Sequence, residues 1–221
     1  MPTNPATALG NCKTLMLDMD GTLLDLAYDN YMWQEHIPAE FARQNDVSEA
    51  TARERLAAKF RSLEGKLSWY CLDHWSEELD LDIAALHRDE NKRIGFLPGA
   101  RRFLETVVGH DLRMLLVTNS HRETLAIKTE VTGVVDFFDR IYTSHDLGHA
   151  KEDQPFWHAL QEAEDFEKET TLFVDDNTAV LESAREFGVG MLLHITRPDT
   201  RWPARQDDRF TAIGGVAELL E

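Results

Sequence analysis

At 221 residues the chain has room for one large domain, or for a core domain carrying a smaller second one. Its 43% hydrophobic and 29% charged residues describe a globular composition and exclude general disorder. Against 40 Asp and Glu stand only 23 Lys and Arg, a net charge of −17 whose field repels nucleic acids and anionic lipid and excludes both as main partners.

Apolar runs such as Met114 to Val117 fall far short of the roughly 20 residues a bilayer span needs, so no membrane partner is expected. Residues 1–14 are polar, with no apolar stretch of the kind a secretory leader has, and a cytoplasmic protein is expected. Cys12 and Cys71 stand outside any CxxC or Cys/His spacing, which predicts reduced thiols and neither disulfide nor zinc site.

In chain order, a first strand is predicted at 14–19, ending in Asp18-Met19-Asp20-Gly21-Thr22. From about 24 to 97 only helical spacings occur: Ala52, Leu56, Phe60 and Leu63, then Leu72, Trp75 and Leu79. Trp33, Trp69 and Tyr70 fall in the same interval, at spacings that suit a core. Helices without intervening strands bury their stripes against one another, so 25–97 is read as an inserted helical cap, and 1–24 with 98–221 as the core domain. Pro98-Gly99 marks the return.

Ala100, Phe103, Leu104 and Val107 then form a helical stripe. A second strand at 112–118 ends in Thr118-Asn119-Ser120, and Ser120 with Glu123 has capping-box spacing. A third, at 140–144, leads through a loop to Lys151, followed by the helical stripe Phe156, Ala159, Leu160 and Ala163. The fourth, at 171–174, ends in Asp175-Asp176-Asn177; the helix carrying Val180, Ala184 and Phe187 is closed by Gly188; the fifth spans 190–195. Five near-continuous apolar strands alternating with helices predict a doubly wound α/β parallel sheet. The tail, 196–221, is expected to wrap the surface without an assigned role.

Ligands of such sheets bind beyond the carboxyl ends of the strands. Collected there are Asp18, Asp20, Asp175 and Asp176, the Thr118 hydroxyl, Asn119 and Lys151. Two carboxylates about 4 Å apart repel by roughly 4 kcal/mol at an effective dielectric near 20, so the cluster calls for a cation. Oxygen donors without His or Cys select Mg2+. Such an ion beside Lys151 and Thr118 suits a phosphoryl group. Asp18 is then the candidate nucleophile, through an aspartyl-phosphate, and Asp20 the acid and base. Asp176, helped by Asp175, would complete the metal site.

These segments, Asp18-Met19-Asp20-Gly21-Thr22, Thr118-Asn119, Lys151 and Asp175-Asp176, resemble the four motifs of the haloacid dehalogenase-like hydrolases. The resemblance implies Asp18 as nucleophile and metal ligand, Asp20 as acid/base and metal ligand through its backbone carbonyl, Thr118 and Lys151 as phosphate binders, and Asp176 as metal ligand. It also implies that the helical insert closes over the site. LMLDMDGTLLDLAYDNYMW, LSWYCLDHWSEEL and KEDQPFW are similar to stretches of purine 5′-nucleotidases of the GMP/IMP type within that family, which implies a purine mononucleotide as the small phosphorylated substrate. A sugar-phosphate phosphatase or phosphomutase is the alternative. A phospho-receiver signalling domain fits less well, since receivers lack a helical insert and Asp20 would hydrolyse a stored phosphate.

Overall fold

The computed structural model describes residues 5–221; the first four residues of the expected 1–24 core segment lie outside them. After a short helix, α1 (Pro5–Asn11), comes strand β1 (Thr14–Leu17), every residue of which is buried. Helices follow: α2 (Ala27–Tyr31), a π-helical stretch Met32–His36, α3 (Ile37–Gln44), α4 (Glu49–Leu63), α5 (Leu72–Leu79) and α6 (Ile83–Asp89). Then α7 (Ala100–Val107), β2 (Arg113–Thr118), α8 (Arg122–Thr132), β3 (Arg140–Thr143), α9 (Ser144–Leu147) and α10 (Gln154–Ala163) alternate. The chain ends with β4 (Thr171–Asp175), α11 (Thr178–Phe187), β5 (Met191–Ile195), β6 (Thr211–Ile213) and a last helical turn, Val216–Leu220.

All six strands run parallel in the order β3-β2-β1-β4-β5-β6, the doubly wound α/β arrangement read from the sequence. Side chains alternate across the sheet with period two. Leu15, Leu17, Leu116, Leu172 and Val174 join a core with Phe103, Leu104 and helical-segment residues such as Tyr28, Leu56 and Trp75. Met16, Leu115, Val117 and Phe173 face a second core under α10 and α11, with Phe156, Trp157, Leu160 and Leu181. Both faces of β1 and β4 are thus covered, which is why these strands read as unbroken apolar runs.

Three features depart from the expectations. β3 is an edge strand whose first residues, Arg140 and Ile141, are exposed, so it is not buried on both faces. The expected capping box at Ser120 does not form. His121 caps α8, its Nδ1 accepting the Glu123 N–H at 3.4 Å, because Ser120 N–H is held by Thr118 Oγ1 at 3.0 Å. The tail is not merely a wrap: Thr211–Ile213 adds the sixth strand, and Val216 and Leu219 are buried.

Helices alone occupy the stretch between the bridge-forming residues Leu24 and Phe96, which pair antiparallel where the insertion leaves and rejoins the sheet. Leu97 N–H donates to Leu23 carbonyl at 2.8 Å beside them. In α4 the Ser48 side chain caps the start and Ala52 and Leu56 turn inward; in α5 Leu72, Trp75 and Leu79 do so, following their spacing of three and four. No described helix is long and apolar enough to cross a membrane.

Candidate active site

β1 and β4 are neighbours at the centre of the sheet, so their carboxyl ends deliver acids to one point. Asp18 follows β1, its N–H donating to the Val174 carbonyl at 3.0 Å. Carboxylate oxygens of Asp18, Asp175 and Asp176 lie within 4.8 Å of one another, all three residues buried. Lys151 reaches into this group: its Nζ donates to Asp18 Oδ1 at 2.6 Å, Asp175 Oδ2 at 2.7 Å and the Val117 carbonyl at 3.1 Å. An ordinary surface pairing of Lys151 with Glu152 and Asp153 is thereby excluded, since its side chain is only 2% exposed.

The Lys151 backbone is clamped at both ends. Asn119 Oδ1 accepts its N–H at 2.9 Å, and its carbonyl accepts from Trp157 Nε1 at 2.9 Å. The sequence reading puts Asn119 at the phosphate. Asn119 lines the cleft beside Thr118 and Lys151, its amide nitrogen donating to Glu152 Oε2 at 2.9 Å, so both ends of this side chain also hold the Lys151-Glu152 loop.

Positive charge does not balance the acids. Burial, then the Lys151 ammonium working against it and the Asp175, Asp176 and Asp20 carboxylates with it, leave the Asp18 carboxyl well above the usual carboxylate range. Asp176 is raised to about 7, by burial and then by Asp175, although Arg205 Nη1 sits 2.9 Å from its Oδ2. Burial also opposes the Lys151 charge, but Asp175 and Asp18 outweigh it and raise the ammonium. An all-oxygen set of three buried carboxylates that repel one another is the donor chemistry of a hard divalent cation.

Gly21 lies against this group at φ 87, and a Cβ there would fall 2.7 Å from Asp176 Cγ, so only glycine permits the close approach. Asp20 is not part of the carboxylate triad. Its Oδ1 accepts from Lys128 Nζ at 2.7 Å, and the same ammonium donates to both oxygens of Asp29, at 2.7 and 2.8 Å. Burial and then Lys128, acting against it, leave the Asp29 carboxyl at about 6.

Sequence reasoning missed Lys128, Asp29 and Arg205. A signal existed for one of them: Thr124, Lys128 and Thr132 recur every four residues along the buried face of α8, where a lysine needs a partner. Arg205 is one charge among many in the tail, and nothing local marks it.

These groups open into a cleft of about 650 Å³ bounded by strand ends and helical segment, whose walls include Trp33, Phe60, Trp69, Thr118 and His121. Thr118 Oγ1 accepts the Ser120 N–H and keeps its own proton to donate. Across the cleft, Tyr70 donates to Glu152 Oε1 at 2.6 Å, tying the helical segment to the Lys151 loop.

The model of the haloacid dehalogenase-like hydrolases matches residues 15–193. The chain is 39% identical over 207 residues to the GMP/IMP nucleotidase YrfG of Escherichia coli, covering 94% of this chain and 93% of that one. Among solved structures it resembles a HAD phosphatase from Thermococcus onnurineus, with TM-score 0.79 and 21% identity over 94% of this chain and 95% of that one. The HAD-hydrolase YfnB of Bacillus subtilis, determined bound to magnesium, superposes with TM-score 0.65 at 17% identity, over 95% of this chain and 97% of that one.

Two outcomes are expected. Lys128→Met leaves Asp20 and Asp29 facing each other without a counter-ion and should cost about 3–5 kcal/mol in urea unfolding, the range for breaking a buried pair; a loss below about 1 kcal/mol would contradict the burial of this charge. In the absence of divalent ions, the folded chain holds a proton on Asp176 that the unfolded chain, with its carboxyl near 3.8, has released. That contribution to stability is therefore gained as pH falls through about 7 and lost as pH rises. The melting temperature should rise between about pH 8 and about pH 5.5, and Asp176→Asn should flatten that slope; an unchanged slope would contradict the assignment.

Proposed function

We propose, for a chain that belongs to the haloacid dehalogenase-like hydrolases and is a phosphoric monoester hydrolase, the Mg2+-dependent hydrolysis of purine 5′-mononucleotides to nucleoside and phosphate. The observation that carries the substrate is the 39% identity, along nearly the whole chain, to a GMP/IMP nucleotidase. The aromatic wall of the cleft supports it, since Trp33 and Trp69 are half-buried there and offer flat surfaces to a base.

In this reading Asp18, Asp175 and Asp176, with the Asp20 backbone carbonyl, would hold Mg2+, which when bound would supply charge neutralisation at the phosphoryl oxygens. Asp18 attacks phosphorus and the ester P–O bond breaks, with Asp20 giving its proton to the departing oxygen. Lys128 occupies Asp20 Oδ1, so Oδ2 is the oxygen left to carry that proton. Asp20, now a carboxylate, takes a proton from water attacking the same phosphorus; the bond to Asp18 breaks, phosphate leaves and the Asp18 carboxylate is restored.

All three Nζ donors of Lys151 are engaged with Asp18, Asp175 and Val117, so a phosphoryl oxygen gains this ammonium by taking over the Asp18 contact. The Thr118 hydroxyl donates to a second oxygen. Residues 25–97 act as the cap, excluding water while the ester is intact.

Kinetics across a panel of phosphate monoesters with Mg2+ test this. IMP and GMP should exceed hexose phosphates in kcat/KM by about tenfold or more, since stacking worth about 1.4 kcal/mol already gives that factor. Equal turnover of hexose phosphates would overturn the purine reading, and turnover retained in Asp18→Asn would remove the nucleophile.

A further inference from the structure

Beside the carboxylates, at the seam between helical segment and sheet, a second set of ligating atoms converges. Cys71, His121 and His145 each offer one within 4.8 Å of the others. They come from three separate places: Cys71 caps α5, His121 caps α8 and His145 lies in α9. Sequence spacing hides them, because 50 and 24 residues separate their positions. The two imidazoles stand perpendicular, with ring centroids 4.7 Å apart.

Hydrogen bonding orients His145 as metal ligands are oriented. Ser144 Oγ donates its single proton to the Asn119 carbonyl at 3.0 Å, so towards His145 Nδ1, 3.3 Å away, it can only accept. Nδ1 therefore carries the proton and Nε2 the lone pair, and Nε2 is buried with no hydrogen-bond partner. A buried acceptor without a donor carries an unrecovered desolvation cost, which a Lewis acid in contact with it would offset. His121 Nδ1 accepts the Glu123 N–H at 3.4 Å, so ligation through either of its nitrogens gives up that long capping bond, while Asp73 Oδ2 lies at the exposed rim 3.7 Å from Nε2, outside the group of three.

We infer that Cys71, His121 and His145 form a binding site for a borderline-soft divalent cation of the Zn2+ class, separate from the oxygen-lined site. Thiolate with two imidazoles selects such an ion over Mg2+. Cys71 belongs to the helical segment, between the cleft-lining Tyr70 and Leu72, whereas both histidines belong to strand-following segments of the core and His121 itself lines the cleft, so a bound ion ties the helical segment to the core at the cleft's edge. Filling the site holds the cleft closed and slows exchange of substrate and product.

Co2+ reports the thiolate directly, through a sulfur-to-metal charge-transfer band that no carboxylate site produces. In excess Mg2+, one equivalent of Co2+ should raise this band in the unaltered chain and in Cys12→Ser. The band should vanish in Cys71→Ser, which keeps a capping oxygen for α5, and weaken in His145→Gln. With p-nitrophenyl phosphate as substrate, Zn2+ in excess Mg2+ should slow turnover of the unaltered chain and lose most of that effect in Cys71→Ser. No band, or a band that survives Cys71→Ser, would overturn the site, and a band without slowed turnover would overturn the clamp. The substrate is not a nucleotide, so failure of the purine reading leaves these outcomes intact.

Discussion

Three carboxylates held out of water around one lysine set the terms for the rest of the molecule. Asp18, Asp175 and Asp176 are buried, and Lys151 contacts only the first two. Like charges about 4 Å apart cost roughly 4 kcal/mol per pair at an effective dielectric near 20, so the arrangement persists only where the scaffold enforces it. Adjacent parallel strands supply that enforcement by ending at one level, and Asn119 and Trp157 fix the Lys151 loop from either side. Gly21 removes the side chain that would otherwise collide with Asp176, and Arg205 reaches in from the tail to take part of the remaining charge. What is left over is a deficit of positive charge, which makes the site receptive to a divalent ion.

The same economy of charge joins the two halves of the chain. Lys128 stands between Asp20, at the strand end, and Asp29, in the first helix of the insertion, so the orientation of Asp20 depends on where that helix sits. Tyr70 makes a comparable link to Glu152, beside Lys151. Tail residues close the opposite edge: Leu26 N–H donates to the Pro198 carbonyl, and Asn30 donates to Asp199 at 2.8 Å. A displacement of the helical segment would thus disturb Asp20 and the Lys151 loop together.

Legibility in the sequence followed the range of the interactions. Strands β1 and β4 were visible because continuous burial on both faces leaves an apolar run, β2 because all but its first residue are buried, β5 because its apolar run persists although Met191 and Leu192 are only half-buried, and Gly188 marked a helix end because it stands at φ 103. Asp18, Asp175 and Lys151 were visible because a parallel sheet gathers the residues at and beyond its carboxyl edge. β6 was not, being three residues among charges, and its pairing with β5 is a tertiary fact. The Ser120 box failed because Thr118 captured its backbone first. Asn119 and Cys71 show the limit most clearly. The first holds the Lys151 loop, and the second meets two histidines that spacing cannot bring together.

With Asp176 raised to about 7, the proposed cation site exchanges a proton for the ion it binds. Calorimetric titration of the chain with Mg2+ near pH 6.5, in buffers of differing ionisation enthalpy, tests this central claim most directly. One ion per chain should bind with release of a proton to the buffer, and Asp176→Asn should lose both the binding and the release. Absence of binding, or binding unaltered in Asp176→Asn, would contradict it.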